Sequence, residues 1–72
     1  MKAEEALEYL VSLGYTITAK GGKWIVKGPK GARYPIHEDA ELTMSDDTLI
    51  QTAWIETAKA TYSTVLDHWR VA

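Results

Sequence analysis

Five cations lie between residues 20 and 33, and no acidic residue lies among them. They are Lys20, Lys23, Lys27, Lys30 and Arg33. Lysine and arginine side chains bind phosphate groups, and such contacts supply most of the sequence-independent affinity for nucleic acids. The following segment, 37–47, contains five acidic residues and no lysine or arginine. The formal net charge of −2 therefore conceals two neighbouring segments of opposite sign.

Candidates for catalysis are few. The two histidines, His37 and His68, are far apart in sequence, and there is no cysteine, so neither a metal site nor a disulfide framework is expected. His37 is followed by two acidic residues, a setting in which a histidine can transfer protons, but the sequence favours an ordinary surface residue. No catalytic pairing at motif spacing and no glycine-rich phosphate loop is present. We therefore expect no cofactor, and the sequence favours a protein that is not an enzyme.

A hairpin centred on Gly21 and Gly22 must position the lysines. Two glycines between segments of alternating polarity suit a type I′ turn, which needs positive φ at both positions. The resulting register divides the side chains between two faces of the sheet. The face predicted to be the core face has Tyr15, Ile17, Ala19, Trp24 and Val26. The other face, predicted to be wet and basic, has Thr16, Thr18, Lys20, Lys23, Ile25 and Lys27. This register favours Trp24 as a core residue over a role in stacking on a base.

The remaining elements complete an α-β-β-β-α order. The pattern predicts a helix over 3–13, with Gly14 just past its end, and strands at about 15–20, 23–28 and 32–36. Segment 37–44 is predicted to be a connection. Ser45 is the expected cap of a long final helix that continues to Trp69. We expect one α+β domain spanning 1–72, in which a three-stranded antiparallel meander packs one face on two helices.

The last helix has an apolar stripe that extends beyond the predicted domain. Its members recur at helical spacing and are Ile50, Trp54, Ala58, Thr61, Tyr62, Val65 and Trp69, widened by Ile55 and Leu66. A helix of about 24 residues is roughly 36 Å long, which is more than a three-stranded sheet covers. Part of the stripe therefore requires another partner. No apolar run reaches the roughly 20 residues that span a bilayer, so a cytoplasmic protein without a membrane partner is expected.

The order and size resemble the double-stranded-RNA-binding domain, although Asp46 and Asp47 stand where that family has a basic cluster. A more extensive resemblance, over residues 5–58, is to the HicA-type mRNA interferase toxins, which share the α-β-β-β-α plan. The segments that carry it are LVSLGY at 10–15, GGK at 21–23, PKG at 29–31, PIH at 35–37, EL at 41–42 and TLI at 48–50.

The HicA resemblance implies an RNA-binding protein of a toxin–antitoxin system. Lys23 stands where the family has its catalytic histidine, and His37 matches the family's second histidine. An exposed lysine stays charged near neutral pH and is a poor general base, but it can hold a phosphate. We therefore expect a non-catalytic module that binds RNA through a basic hairpin. Its expected contacts are Lys20, Lys23, Lys27, Lys30, Arg33 and His37.

The alternative is a protein-interaction module, such as a small inhibitor or an antitoxin-like partner from a phage or mobile element. The oppositely charged segments and the surplus length of the last helix support it. Segment 59–72 is expected to form an interface through Tyr62, Val65, Leu66 and Trp69. Either the helix bends over its own sheet, or it packs against a second copy about a two-fold axis, and the sequence favours the homodimer.

Overall fold

The computed structural model describes residues 1–71, so Ala72, the last residue of the predicted domain and interface segment, lies outside the described residues. The elements are α1 (Ala3–Ser12), β1 (Thr16–Lys20), β2 (Lys23–Lys27), β3 (Glu41–Met44) and α2 (Asp46–Val71). The strands form one antiparallel sheet in the order β1-β2-β3. The α+β class and the α-β-β-β-α order are confirmed. Neither of the helices in this part of the chain combines the length and the apolar character that crossing a bilayer requires.

The hairpin between β1 and β2 has the predicted turn and register. Gly21 and Gly22 both have positive φ, at 57° and 74°. Lys20 pairs with Lys23, and the pairing continues along both strands to Thr16 and Lys27. Because partners across an antiparallel pair share a face, this register sorts the side chains of both strands into two faces, and the face with buried Val26 is the one that packs on the core.

The third strand lies at Glu41–Met44, so the prediction of a strand at 32–36 and a connection at 37–44 is wrong. Segment 28–40 is instead a compact loop whose backbone groups close turns. Ala32 N–H donates to the carbonyl of Pro29 at 3.0 Å, and Glu38 N–H donates to that of Ala32 at 2.9 Å. Pro35 has no N–H to give to a ladder. Ile36, only 2% exposed, enters the core from this loop.

The core is formed by both helices, the sheet and this loop. Its buried apolar members are Ala6, Leu10, Tyr15, Val26, Ile36, Met44, Leu49 and Ala53. Val11 and Leu13 of the predicted first helix are 50% and 39% exposed, so the buried face of α1 is narrower than its apolar pattern.

Helix α2 turns a different face to the rest of the domain, chiefly to α1, from the one that its apolar stripe predicts. Ser45 caps the start of the helix, as predicted, because its Oγ accepts a hydrogen bond from the N–H of Thr48 at 3.4 Å. The buried positions are Leu49, Thr52 and Ala53, at i, i+3 and i+4. This face lies roughly 160° around the helix from the centre of the predicted stripe, at about 100° per residue.

Thr52, which the apolar pattern assigns to the polar side of α2, is only 5% exposed. Its hydroxyl donates to the carbonyl of Thr48 at 2.9 Å, which satisfies its polar group inside the core. Thr52 and Ala53 are small, so the helix can approach the rest of the domain closely, and it packs mainly on α1 and less on the sheet. Ile50, at the start of the apolar stripe, packs against the core, but from Trp54 onward the stripe faces away from the domain.

The molecule is elongated because α2 continues past everything that packs on it. The principal extents are 50 × 26 × 16 Å, and the radius of gyration is 13.3 Å. A compact chain of this length would have a radius of gyration of about 11 Å. Every position of α2 from 58 to 70 is exposed. The C-terminal half of α2 is therefore a helical arm, which we define as residues 58–70.

Candidate functional site

One face of α2 forms the most prominent apolar surface of the protein. We call it the α2 stripe, and it consists of Trp54, Ala58, Thr61, Tyr62, Val65 and Trp69. Trp54 is 53% exposed, Tyr62 is 66% exposed and Trp69 is 73% exposed. From these fractions the three aromatic rings alone expose about 400 Å². Patches of this size are among the largest on monomeric proteins, and they commonly mark interaction sites.

The helical arm has little that stabilises it internally. The hydroxyls of Thr57, Thr61 and Thr64 each donate to the carbonyl four residues earlier, an arrangement that slightly weakens and bends helices. Between residues 58 and 70, the one ion pair internal to the arm is Asp67–Arg70, at 4.0 Å and exposed. Isolated helices shorter than about 12–15 residues are marginal in water. Packing on the α2 stripe would supply the stability that the arm lacks.

All four residues of the predicted interface lie exposed on the arm. They are Tyr62, Val65, Leu66 and Trp69. The first of the two alternatives, a helix bent over its own sheet, is not the arrangement that the structure has. Trp54 is exposed beside these four residues. The apolar pattern alone would place Trp54 in the part of the stripe that covers the sheet. The exposed surface therefore begins within the domain and continues to the end of the arm.

The predicted basic surface is exposed but mixed in charge. Lys20, Lys23 and Lys27 lie on the sheet face that neither helix covers, and Lys20 is directly opposite Lys23. The corrected third strand places Glu41 directly opposite Lys27. Lys30 and Arg33 are exposed on the loop. None of these five cations forms an ion pair with another residue in segment 1–70.

Lys23 and His37, which the HicA resemblance matches to the two histidines of that family, do not meet. A Cβ on Gly28 would lie 3.1 Å from the carbonyl oxygen of His37, so His37 lies beside the end of β2. Lys23 begins that strand, about 17 Å away along it. His37 Nδ1 instead accepts from the N–H of Asp39 at 3.1 Å. The predicted contacts thus spread over a surface, and no enclosed pocket lies among the described residues.

Trp24 anchors the start of α2. It is partly buried against the core, as its place on the inner face predicts. Its indole N–H donates to Asp46 Oδ1 at 2.6 Å, across from the sheet to the first turn of the helix. A carboxylate in the first turn is also favoured by the positive end of the helix dipole. Trp24 is therefore a positioning residue for α2.

A second anchor holds α2 where the arm begins. Lys59 Nζ donates to Glu56 Oε1 at 2.8 Å and to the backbone carbonyl of Tyr34 in the loop. The same Nζ lies 6.0 Å from the centre of the Tyr34 ring. Lys59 therefore links the carboxylate of Glu56, whose side chain is 12% exposed, to the loop.

Beneath this anchor lies the phenol of Tyr15, which is 4% exposed. Within residues 1–71 its hydroxyl has no hydrogen-bond partner at normal distance and angle, but the negative charge of the Glu56 carboxylate is close enough to affect its ionisation. Burial, and secondarily the negative charge of Glu56, raise the pKa of Tyr15 well above its usual range. The sequence predicts Tyr15 as a core residue, but no pattern in it points to this contact, because the loop that brings Tyr34 to Lys59 is not a regular element.

Comparison of the chain with protein-family models, curated proteins and solved structures gives no match. The resemblance to HicA-type toxins therefore stays a prediction. The case for a function rests on the fold and on the two exposed surfaces, of which the α2 stripe departs further from an ordinary protein surface.

Proposed function

We propose that the protein is an interaction module that binds another protein chain along the α2 stripe. The observation that carries this proposal is that the core is complete without the stripe, while its two tryptophans and its tyrosine are half or more exposed. Tryptophan and tyrosine are the residues most enriched among those that dominate binding energy at protein interfaces. An exposed row of them is costly to keep unless something covers it.

The two anchors make α2 suitable for binding. The indole of Trp24 holds its first turn, and the contact between Lys59 and Tyr34 holds it where the arm begins. A helix that is already formed and oriented loses less conformational entropy when it binds than a segment that must fold on its partner. Amphipathic helices of this kind bind to grooves or to other helices through anchors at i, i+3, i+4 and i+7.

A photo-crosslinking amino acid placed in α2 tests the proposal in the native cell. Thr61 lies midway along the length of the α2 stripe, whereas Ser63 lies about 160° around the helix from the centre line of the stripe. Both are exposed, so neither substitution disturbs the core. We expect a covalent adduct with protein from position 61 and none from position 63. No protein adduct at position 61, or equal adducts at both positions, would contradict the proposal.

RNA binding through the basic surface is a second candidate function. The observation in its favour is that five cations are exposed without an ion pair in segment 1–70, three of them on the open face of the sheet. Affinity for single- and double-stranded RNA should then fall as salt rises. Lys23→Glu should reduce the log–log salt slope by about one or more units, whereas Lys2→Glu, outside this surface, should not. Absence of binding at about 50 mM salt would end this candidate.

A further inference from the structure

The spacing of the α2 stripe is palindromic. Its members are separated by steps of four, three, one, three and four residues, which read the same from either end. The members form three pairs that are centred on the same point, between residues 61 and 62. The pairs are Trp54 with Trp69, Ala58 with Val65, and Thr61 with Tyr62. A two-fold interface needs this property, because residue i must contact residue j while j contacts i.

We propose that the partner of the α2 stripe is a second copy of the chain, packed antiparallel about a two-fold axis between Thr61 and Tyr62. This inference rests on the proposed function of the stripe and names its partner. The two helices overlap from Trp54 to Trp69, a length of about 24 Å. The domains then lie at opposite ends of the pair, on the sides of the helices that face away from the seam.

The side chains along this seam fit one another in size. Near the axis, the small residues Ala58 and Thr61 face Val65 and Tyr62 of the second copy, so the helix axes can approach to the usual 8–10 Å. At each end, Trp54 of one copy meets Trp69 of the other, and both rings leave water. Paired aromatic rings at the ends would cover the aliphatic contacts between them.

Charge does not oppose the arrangement. No member of the α2 stripe is charged, and the charged residues of this part of α2 lie on other sides of the helix, where Lys59 pairs with Glu56 and Asp67 with Arg70. Antiparallel helices also place the positive end of each helix dipole beside the negative end of the other.

The area that the pair would bury predicts a dimer that exchanges with the monomer. The α2 stripe with its neighbour Leu66, which is 37% exposed, presents roughly 500 Å² on each copy. Two copies therefore bury about 1,000 Å², at the low end of specific interfaces and in the range of transient ones. We expect the proportion of dimer to depend on protein concentration in the micromolar range.

A charge-complementation experiment on the full chain tests both the partner and the register. Sedimentation velocity should show wild-type protein shifting from monomer to dimer as its concentration rises. Ala58→Glu and Val65→Lys should each remain monomeric, because each homodimer would hold two unpaired charges in the seam. Mixed together, the two variants should form a one-to-one dimer, since Glu at position 58 then faces Lys at position 65. Ser63→Glu, on the opposite face, should dimerise like the wild type.

Three results would overturn this inference. Wild-type protein that stays monomeric at every accessible concentration would show that the partner is not a second copy. Dimers that survive in Ala58→Glu or Val65→Lys would place the interface elsewhere. Failure of the mixture to pair, while the wild type does, would exclude this antiparallel register. If the wild type is monomeric but the probe at Thr61 captures a different protein in the cell, only the inference fails; if it captures no protein, the proposed function fails with it.

Discussion

Two alanines on α2 allow a direct test of which face of the helix packs on the rest of the domain. Ala53 is completely buried, whereas Ala58 is an exposed member of the α2 stripe. Leucine and alanine are both good helix formers, so alanine-to-leucine changes at the two positions alter helix propensity to a similar small extent. The change is the same at both sites, and only the surroundings of the side chain differ.

The expected cost follows from packing. At Ala53 the three added carbon atoms must enter a core that already contains Leu10, Val26 and Leu49, and overpacking of this kind costs about 1–3 kcal/mol. At Ala58 the same atoms enter water or lie on the helix surface, where substitutions change stability by less than about 0.5 kcal/mol. A domain of this length is expected to have a total stability of roughly 4–11 kcal/mol, so the first loss is a substantial part of it.

Urea unfolding followed by circular dichroism measures both losses. The midpoints should be compared at unchanged m-values, which shows that the variants unfold from and to similar states. Each variant should be measured at two protein concentrations, because self-association would stabilise the folded chain by mass action. Equal losses at the two positions, or a larger loss for Ala58→Leu, would refute the packing described above and show that the α2 stripe is buried in the domain.

Three further outcomes are expected. Because the pKa of Tyr15 is raised, the unfolded chain ionises first above about pH 10; the stability due to this residue is complete below that pH and is lost as pH rises towards the folded-state pKa. Tyr15→Phe should therefore flatten the stability–pH profile above pH 10 in urea titrations, and profiles of equal slope would contradict this. Gly28→Ala should lower the free energy of unfolding by about 1–3 kcal/mol, since its Cβ would meet the carbonyl oxygen of Ile36 at 2.4 Å, and an unchanged thermal midpoint would show that the loop can move aside. Wild-type protein should not cleave RNA, and Lys23→Ala should weaken RNA binding without altering any residual cleavage; a wild-type nuclease rate that disappears in this variant would make the lysine catalytic.

Features that depend on neighbouring residues were predictable from the sequence. The Gly21–Gly22 turn sets its own register, because a two-residue loop fixes the strand pairing and two glycines readily adopt the two positive φ values of a type I′ turn. The end of α1 follows from Gly14 and the start of α2 from Ser45, because both residues form hydrogen bonds with residues close to them in sequence. Exposure of the hairpin lysines follows from the same alternation.

Features that depend on distant contacts were not predictable in the same way. Segment 32–36 has the composition of a strand, but the apolar side chain of Ile36 is buried by a loop that folds back onto Gly28. The true third strand is four residues long and contains one buried side chain, Met44, so its pattern is weak. Secondary-structure patterns describe single elements and do not show how loops pack.

The face of α2 illustrates the same limit for the candidate site. Apolar periodicity correctly finds a stripe on the helix, but it does not show what the stripe contacts. The domain, chiefly α1, packs instead on Leu49 and on the small residues Thr52 and Ala53, which allow a close approach. Which of two faces a helix buries is decided by shape complementarity with the rest of the domain, and the most hydrophobic face is left outside.

The single residue between β3 and α2 makes the arm a mechanical lever. Because only Ser45 separates Met44 from Asp46, the direction of the helix follows the twist of the sheet directly. The contact between Lys59 and Tyr34 acts as the fulcrum, and the chain beyond it extends roughly 18 Å. A rotation of about 10° at this point would displace the tip of the arm by roughly 3 Å, close to half a helical turn. Substitutions in the loop around Tyr34 would therefore displace Trp69, although they do not contact it.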